Sequence, residues 1–64
     1  MIRINGMEVL ADNQLLSDCL KNSGYRLERV AVAVNGQIVP KVQYSATVLM
    51  PGDRVEVVSL VGGG

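Results

Sequence analysis

A chain of 64 residues with 48% hydrophobic and 3% aromatic content is a single domain with an aliphatic core, and at this size about 60% of the unfolded chain's surface becomes buried. Six basic residues balance six acidic ones and histidine is absent, which disfavours the basic stripe of a nucleic-acid binder and removes every Ser-His or Cys-His catalytic couple. The single cysteine can form no internal disulfide and, without histidine, no structural zinc site.

In chain order, Ile2-Arg3-Ile4-Asn5 alternates apolar and polar residues and predicts a half-buried strand. Asn5-Gly6 is a two-residue hairpin turn, because a type I′ turn requires positive φ at both central positions, and Met7 to Leu10 is the returning strand. Asp12 or Asn13 supplies a side-chain oxygen to cap a helix whose inner face carries Leu15, Leu16, Cys19 and Leu20. Lys21 suits the negative end of the helix dipole, and Gly24 stands where a C′ glycine belongs. Val30, Val32 and Val34 alternate with Ala31 and Ala33 in a second clear strand, Asn35-Gly36 turns the chain, and Gln37-Ile38-Val39 returns until Pro40, which cannot donate to a ladder. Residues 41 to 50 read as irregular with a helical turn near Val42 to Tyr44; Pro51-Gly52-Asp53 is a turn, and Arg54 to Leu60 the last strand. The order is ββαβββ, and one helix crossing one face of a mixed sheet is the economical way to bury this much aliphatic surface. Strands at both chain ends place the first and last as central, parallel neighbours, an α+β arrangement of the β-grasp, or ubiquitin-like, kind.

The last residues, Val61-Gly62-Gly63-Gly64, are unusual. Glycine averages about 7% of residues, so three in a row at a chosen place arise in roughly a few sequences per ten thousand. Glycine loses the most backbone entropy on ordering and has no side chain to pack. Residues 1–60 are therefore expected to form the domain and 61–64 a flexible tail. Such an end can be a frayed terminus or a linker remnant; the functional reading is that a chain without Cβ atoms threads a channel too narrow for any other residue. No apolar run approaches the roughly 18 residues of a membrane span, the first residues lack the pattern of a secretory signal, and no glycine-rich phosphate loop precedes a lysine. A cytoplasmic protein that is a substrate for chemistry, not a catalyst, is the expectation.

Val32-Ala33-Val34-Asn35-Gly36-Gln37-Ile38-Val39-Pro40, then Pro51-Gly52-Asp53-Arg54-Val55-Glu56-Val57-Val58, then Val61-Gly62-Gly63-Gly64, together resemble the sulfur carrier family of thiamine biosynthesis. The resemblance covers essentially the whole chain, which departs from its relatives in having no phenylalanine. It implies a C-terminal glycine, here Gly64, adenylated by an E1-like activating enzyme and converted to a thiocarboxylate by sulfur from a cysteine-desulfurase pathway. A thiazole synthase then takes the sulfur. The carrier holds no cofactor or metal of its own, and the activating enzyme consumes ATP. The small subunit of molybdopterin synthase and carriers for tRNA thiolation share the fold and the diglycine end, so the client stays open; a ubiquitin-like modifier joined to lysines through the same tail, and a non-covalent β-grasp binding module with an incidental tail, are alternatives of a different class.

Elementary chemistry points the same way. An α-carboxyl with an ordinary pKa of about 3.3–3.7 is a stabilised anion at neutral pH and a poor acyl electrophile, and no side chain here can activate it. Gly64 leaves its carboxyl carbon unhindered, and Val61, Gly62, Gly63 and Gly64, fully extended, reach about 13–14 Å at 3.3–3.6 Å per residue. Alternation in the last strand points Val55, Val57 and Ser59 to one side and Arg54, Glu56, Val58 and Leu60 to the other. If the first set meets the helix, Val58 and Leu60, with Ala31 and Ala33 on one side and Arg3 on the other, form an apolar docking patch at the tail's root; isolated exposed aliphatics are also ordinary. Cys19 shares the inner helical face and reads as a core residue. Tyr25 and Tyr44 are expected at the rim with solvated hydroxyls, Arg26 and Arg29 as solvated loop charges, and Asp53 in service of its turn.

Overall fold

The computed structural model describes residues 1–60. Strands β1 (Ile2–Ile4), β2 (Met7–Val9), β3 (Val30–Val34), β4 (Gln37–Val39) and β5 (Arg54–Ser59) form one mixed sheet in the order β2-β1-β5-β3-β4. β1 runs parallel to β5, with Ile4 opposite Val55, while β3 pairs antiparallel with β5 along Val30–Val34. One helix, α1 (Leu16–Asn22), lies on one face. This is the β-grasp predicted from the element order, with the last strand at the centre.

Binary alternation builds the core. Ile2, Ile4, Val30, Val32, Val55 and Val57 turn inward from the three central strands and meet Leu16, Cys19 and Leu20 of α1, with Leu49 and Tyr44 closing the side. A seven-residue helix is marginal alone, since helices shorter than about 12–15 residues barely form in water; burial of Leu16, Cys19 and Leu20 holds it.

The two Asn-Gly turns adopt positive φ at both positions, Asn5 at 50° and Gly6 at 85°, Asn35 at 52° and Gly36 at 83°. The helix ends in a Schellman motif: Gly24, at φ 88°, donates to the Lys21 carbonyl at 3.0 Å and Tyr25 to that of Leu20 at 2.9 Å.

Its start differs from expectation. Neither Asp12 nor Asn13 caps it; Leu15 holds the N-cap position without a side-chain hydrogen bond. The 44–49 segment does the capping instead. Leu16 N–H donates to Thr47 O at 2.7 Å and Ser17 N–H to Tyr44 O at 3.0 Å, beside a bridge between Leu15 and Val48. Asp12 accepts from the Met1 α-amino group at 3.0 Å, and Asn13 takes a left-handed φ of 65°. Leu15 accordingly precedes the helix and is half-buried.

Tyr44 is a second correction. It is 3% exposed and its hydroxyl donates to Val30 O at 3.2 Å. The 3₁₀ turn at Lys41–Gln43 swings the ring under the sheet, where the aliphatic core leaves room for an aromatic.

Candidate functional site

The tail residues Val61, Gly62, Gly63 and Gly64 lie outside the described residues; the site visible is the strand that leads to them and its surroundings. β5 is held on both sides by asparagine side chains. Asn5 Nδ2 donates to Val57 O at 3.1 Å, while its Oδ1 accepts the Val57 N–H at 2.9 Å. This amide continues the β1–β5 pairing past the point where the turn takes the backbone away. Asn35 Oδ1 accepts from Arg54 N–H at 3.0 Å, and its Nδ2 donates to Asp53 Oδ1 at 2.9 Å. Asp53 also accepts the Met50 N–H at 2.9 Å, so it orders its turn and ties it to the β3–β4 hairpin. The last described tether is Leu60 N–H to Arg29 O at 2.8 Å.

The sheet face away from α1 has two halves. Arg3, Glu8, Arg54 and Glu56 make the polar half: Arg3 stands opposite both Glu8 and Arg54, and its guanidinium lies 3.8 Å from the Glu8 carboxylate. Ala31 opposite Val58 and Ala33 opposite Ile38 make the apolar half. Val58 is 61% exposed and Ile38 82%.

The structure thus brings Val58, Ala31 and Ala33 together, but not Arg3, which the parallel register places beside Arg54, further back along β5 from Val58. β5 ends at Ser59, and Leu60 lines a different recess with Gly24, Tyr25, Arg26, Arg29 and Ser59. Ile38 is the residue that sequence reasoning missed. Its signal was present, because a two-residue Asn35-Gly36 turn sets Val34 against Gln37 and therefore Ala33 against Ile38.

Cys19 is 2% exposed in the core. Burial pushes its thiol pKa up, partly offset by a hydrogen bond with Ser23, so it is protonated and unreactive at neutral pH. Burial likewise raises the Tyr44 phenol above the ordinary tyrosine range. Tyr25 is half-buried against the core, its hydroxyl 3.4 Å from Asn5 Nδ2. Among the described residues no three Cys, Asp or Glu side chains gather as metal ligands would, and no helix is long and apolar enough to cross a membrane.

The sequence pattern of the ThiS family matches residues 2–64. This chain belongs to the ThiS family. Its fold is that of a ThiS structure: the crystal structure of the thiamine biosynthesis protein (ThiS) from Geobacter metallireducens superposes with a TM-score of 0.81 at 27% identity, over 98% of this chain and 97% of that one. The solution structure of a thiamine biosynthesis protein from the same organism gives 0.78 at 27% identity, over 98% and 86%. Two uncharacterised proteins named ycf40 are also similar. That of Porphyra purpurea is 31% identical and that of Pyropia yezoensis 34%, each over 98% of this chain and 90% of its own length. The ThiS family and fold make the chain a ThiS-like sulfur carrier, not a catalyst.

Proposed function

We propose that this ThiS-family protein carries sulfur on the carboxyl carbon of Gly64 for thiazole formation in thiamine biosynthesis. An E1-like enzyme joins the Gly64 carboxylate to the α-phosphate of ATP and releases pyrophosphate. The terminal sulfur of a persulfide from a cysteine-desulfurase pathway then attacks the acyl carbon and displaces AMP. A thiol reductant cleaves the resulting acyl disulfide to leave the thiocarboxylate, and the thiocarboxylate donates its sulfur to a thiazole synthase. The observation that carries the reading is the family match, which runs through the terminal glycines to residue 64 on a β-grasp whose central strand is the one that leads into them. The same geometry supports Val58, Ala31, Ala33 and Ile38 as the face on which a partner rests while the tail enters its active site. Arg3, opposite Arg54, stands further back along β5, and Leu60 follows Val58 at the end of the described chain.

The test is adenylation. With the activating enzyme and ATP, the protein should yield an acyl-adenylate. With the sulfur donor added, intact mass should show one oxygen exchanged for sulfur. Deleting Gly64 should abolish both and leave the circular dichroism spectrum unchanged. A deletion variant that supports thiazole synthesis normally would overturn the carrier reading. Isopeptide adducts on lysines would assign the chain to the modifiers, and sulfur delivery to molybdopterin synthase or a tRNA thiolase would change the client.

A further inference from the structure

The zero net charge conceals a segregation. Residues 21–41 hold Lys21, Arg26, Arg29 and Lys41 against the single acid Glu28, whereas the rest of the chain holds Arg3 and Arg54 against five acids. The fold concentrates part of this excess beside Leu60, the last described residue. Arg26 is the extended N-cap of the 3₁₀ turn at Leu27–Arg29 and Arg29 its last residue, and both line the same recess as Ser59 and Leu60. Glu28 lines a separate recess with Ser17, Lys41 and Tyr44, where its backbone carbonyl accepts from Lys41 Nζ at 2.8 Å. Backbone bonds fix the placement: Arg29 N–H donates to Arg26 O at 3.0 Å, and Leu60 N–H to Arg29 O at 2.8 Å. Among the described residues the side-chain ion pair is Arg3–Glu8, on the open sheet face, and neither Arg26 nor Arg29 forms one.

From this placement we infer that Arg26 and Arg29 form a cationic collar beside Leu60 that engages an acidic surface, Asp and Glu side chains, on the E1-like activating enzyme. The inference rests on the carrier reading and extends it to the charge of the partner. Two exposed guanidiniums lining one recess, with no carboxylate partner among the described residues, match paired carboxylates in charge and in their capacity for bidentate hydrogen bonds. Rim charges of this kind act mainly on association rate and its salt dependence. Steering of this sort raises association about 10- to 1000-fold at low salt and fades with ionic strength. The collar would bring the tail up to its channel already oriented, leaving the apolar half of the open face to set the lifetime of the complex.

The test is steady-state adenylation by the E1-like enzyme with the full chain as the varied substrate. Charge reversal in R26E/R29E should raise KM for the carrier about 10- to 100-fold at low salt, leave kcat unchanged, and flatten the decline of kcat/KM with added salt. R26K/R29K should keep the wild-type salt slope. R26Q/R29Q, which adds no like-charge repulsion, should fall between, and circular dichroism should show all three folded. An R26E/R29E protein with wild-type KM and salt slope would sink the collar. So would a change in KM for ATP with none for the carrier, which would assign the arginines to the nucleotide. A wild-type protein that is never adenylated overturns the carrier reading itself; one that is adenylated beside unchanged variants overturns the collar alone.

Discussion

Asn5 and Asn35 each do two things that no aliphatic residue can combine. Each occupies a left-handed φ, 50° and 52°, which costs most non-glycine residues about 1–2 kcal/mol and asparagine less, and each spends its side-chain amide on β5. Asn5 meets both the N–H and the C=O of Val57. Asn5→Ala should therefore lose two hydrogen bonds of about 0.5–1.5 kcal/mol each together with the conformational advantage, lowering stability by about 2–3 kcal/mol in urea titration. Asn5→Asp keeps the acceptor for Val57 N–H but not the donor and should lie between. Equal stability of Asn5→Ala and wild type would show that the amide is incidental to β5.

At the scale of elements, α1 is a helix whose start is made by another segment. The carbonyls of Thr47 and Tyr44 cap it, so the irregular 41–50 stretch is a structural partner of the helix and not a slack connection. β5 likewise depends on its neighbours, with β1 and β3 on either side. Its outward face at Val58 adjoins Ala31, Ala33 and Ile38 and is exposed enough that a charge there should not disturb folding. Val58→Glu and Ile38→Glu should each raise KM for the carrier in adenylation by about tenfold, the roughly 1.4 kcal/mol lost when an apolar contact becomes a desolvated carboxylate, with little change in melting temperature. Substantial unfolding of either variant would mean that this face belongs to the core. Leu20→Ala, by contrast, empties a fully buried position and should cost about 2–5 kcal/mol, seen as a large drop in the urea midpoint.

For the whole molecule, two protons are held more tightly by the fold than by the unfolded chain. Burial raises the pKa values of Cys19 and Tyr44. A raised folded-state pKa contributes stability that is complete below the unfolded value and is lost as pH climbs through the folded one. The protein should thus lose stability on the alkaline side, above about pH 9, and a Cys19→Ala/Tyr44→Phe variant should show a flatter alkaline limb in urea midpoints. Parallel limbs would contradict this account.

By itself the sequence determined the parts of this protein that depend on local pattern. Period-two alternation marked β1, β3 and β5, the two Asn-Gly pairs marked their hairpins, Gly24 marked the end of the helix, and the combination of segments carried the family and its β-grasp. Each is a property of a few consecutive residues, legible wherever φ/ψ preference and burial agree. Only the tertiary structure decided that Thr47 and Tyr44, not Asp12 or Asn13, cap the helix, and that Tyr44 enters the core. It also decided that Arg3 stands apart from Val58 while Ile38 joins it, and that Arg26 and Arg29 gather beside Leu60. These outcomes depend on which distant backbone carbonyl, register position or end of the sheet comes within reach. That choice is made when the sheet closes around β5 and the hydrophobic core selects one packing, not by any stretch of chain alone.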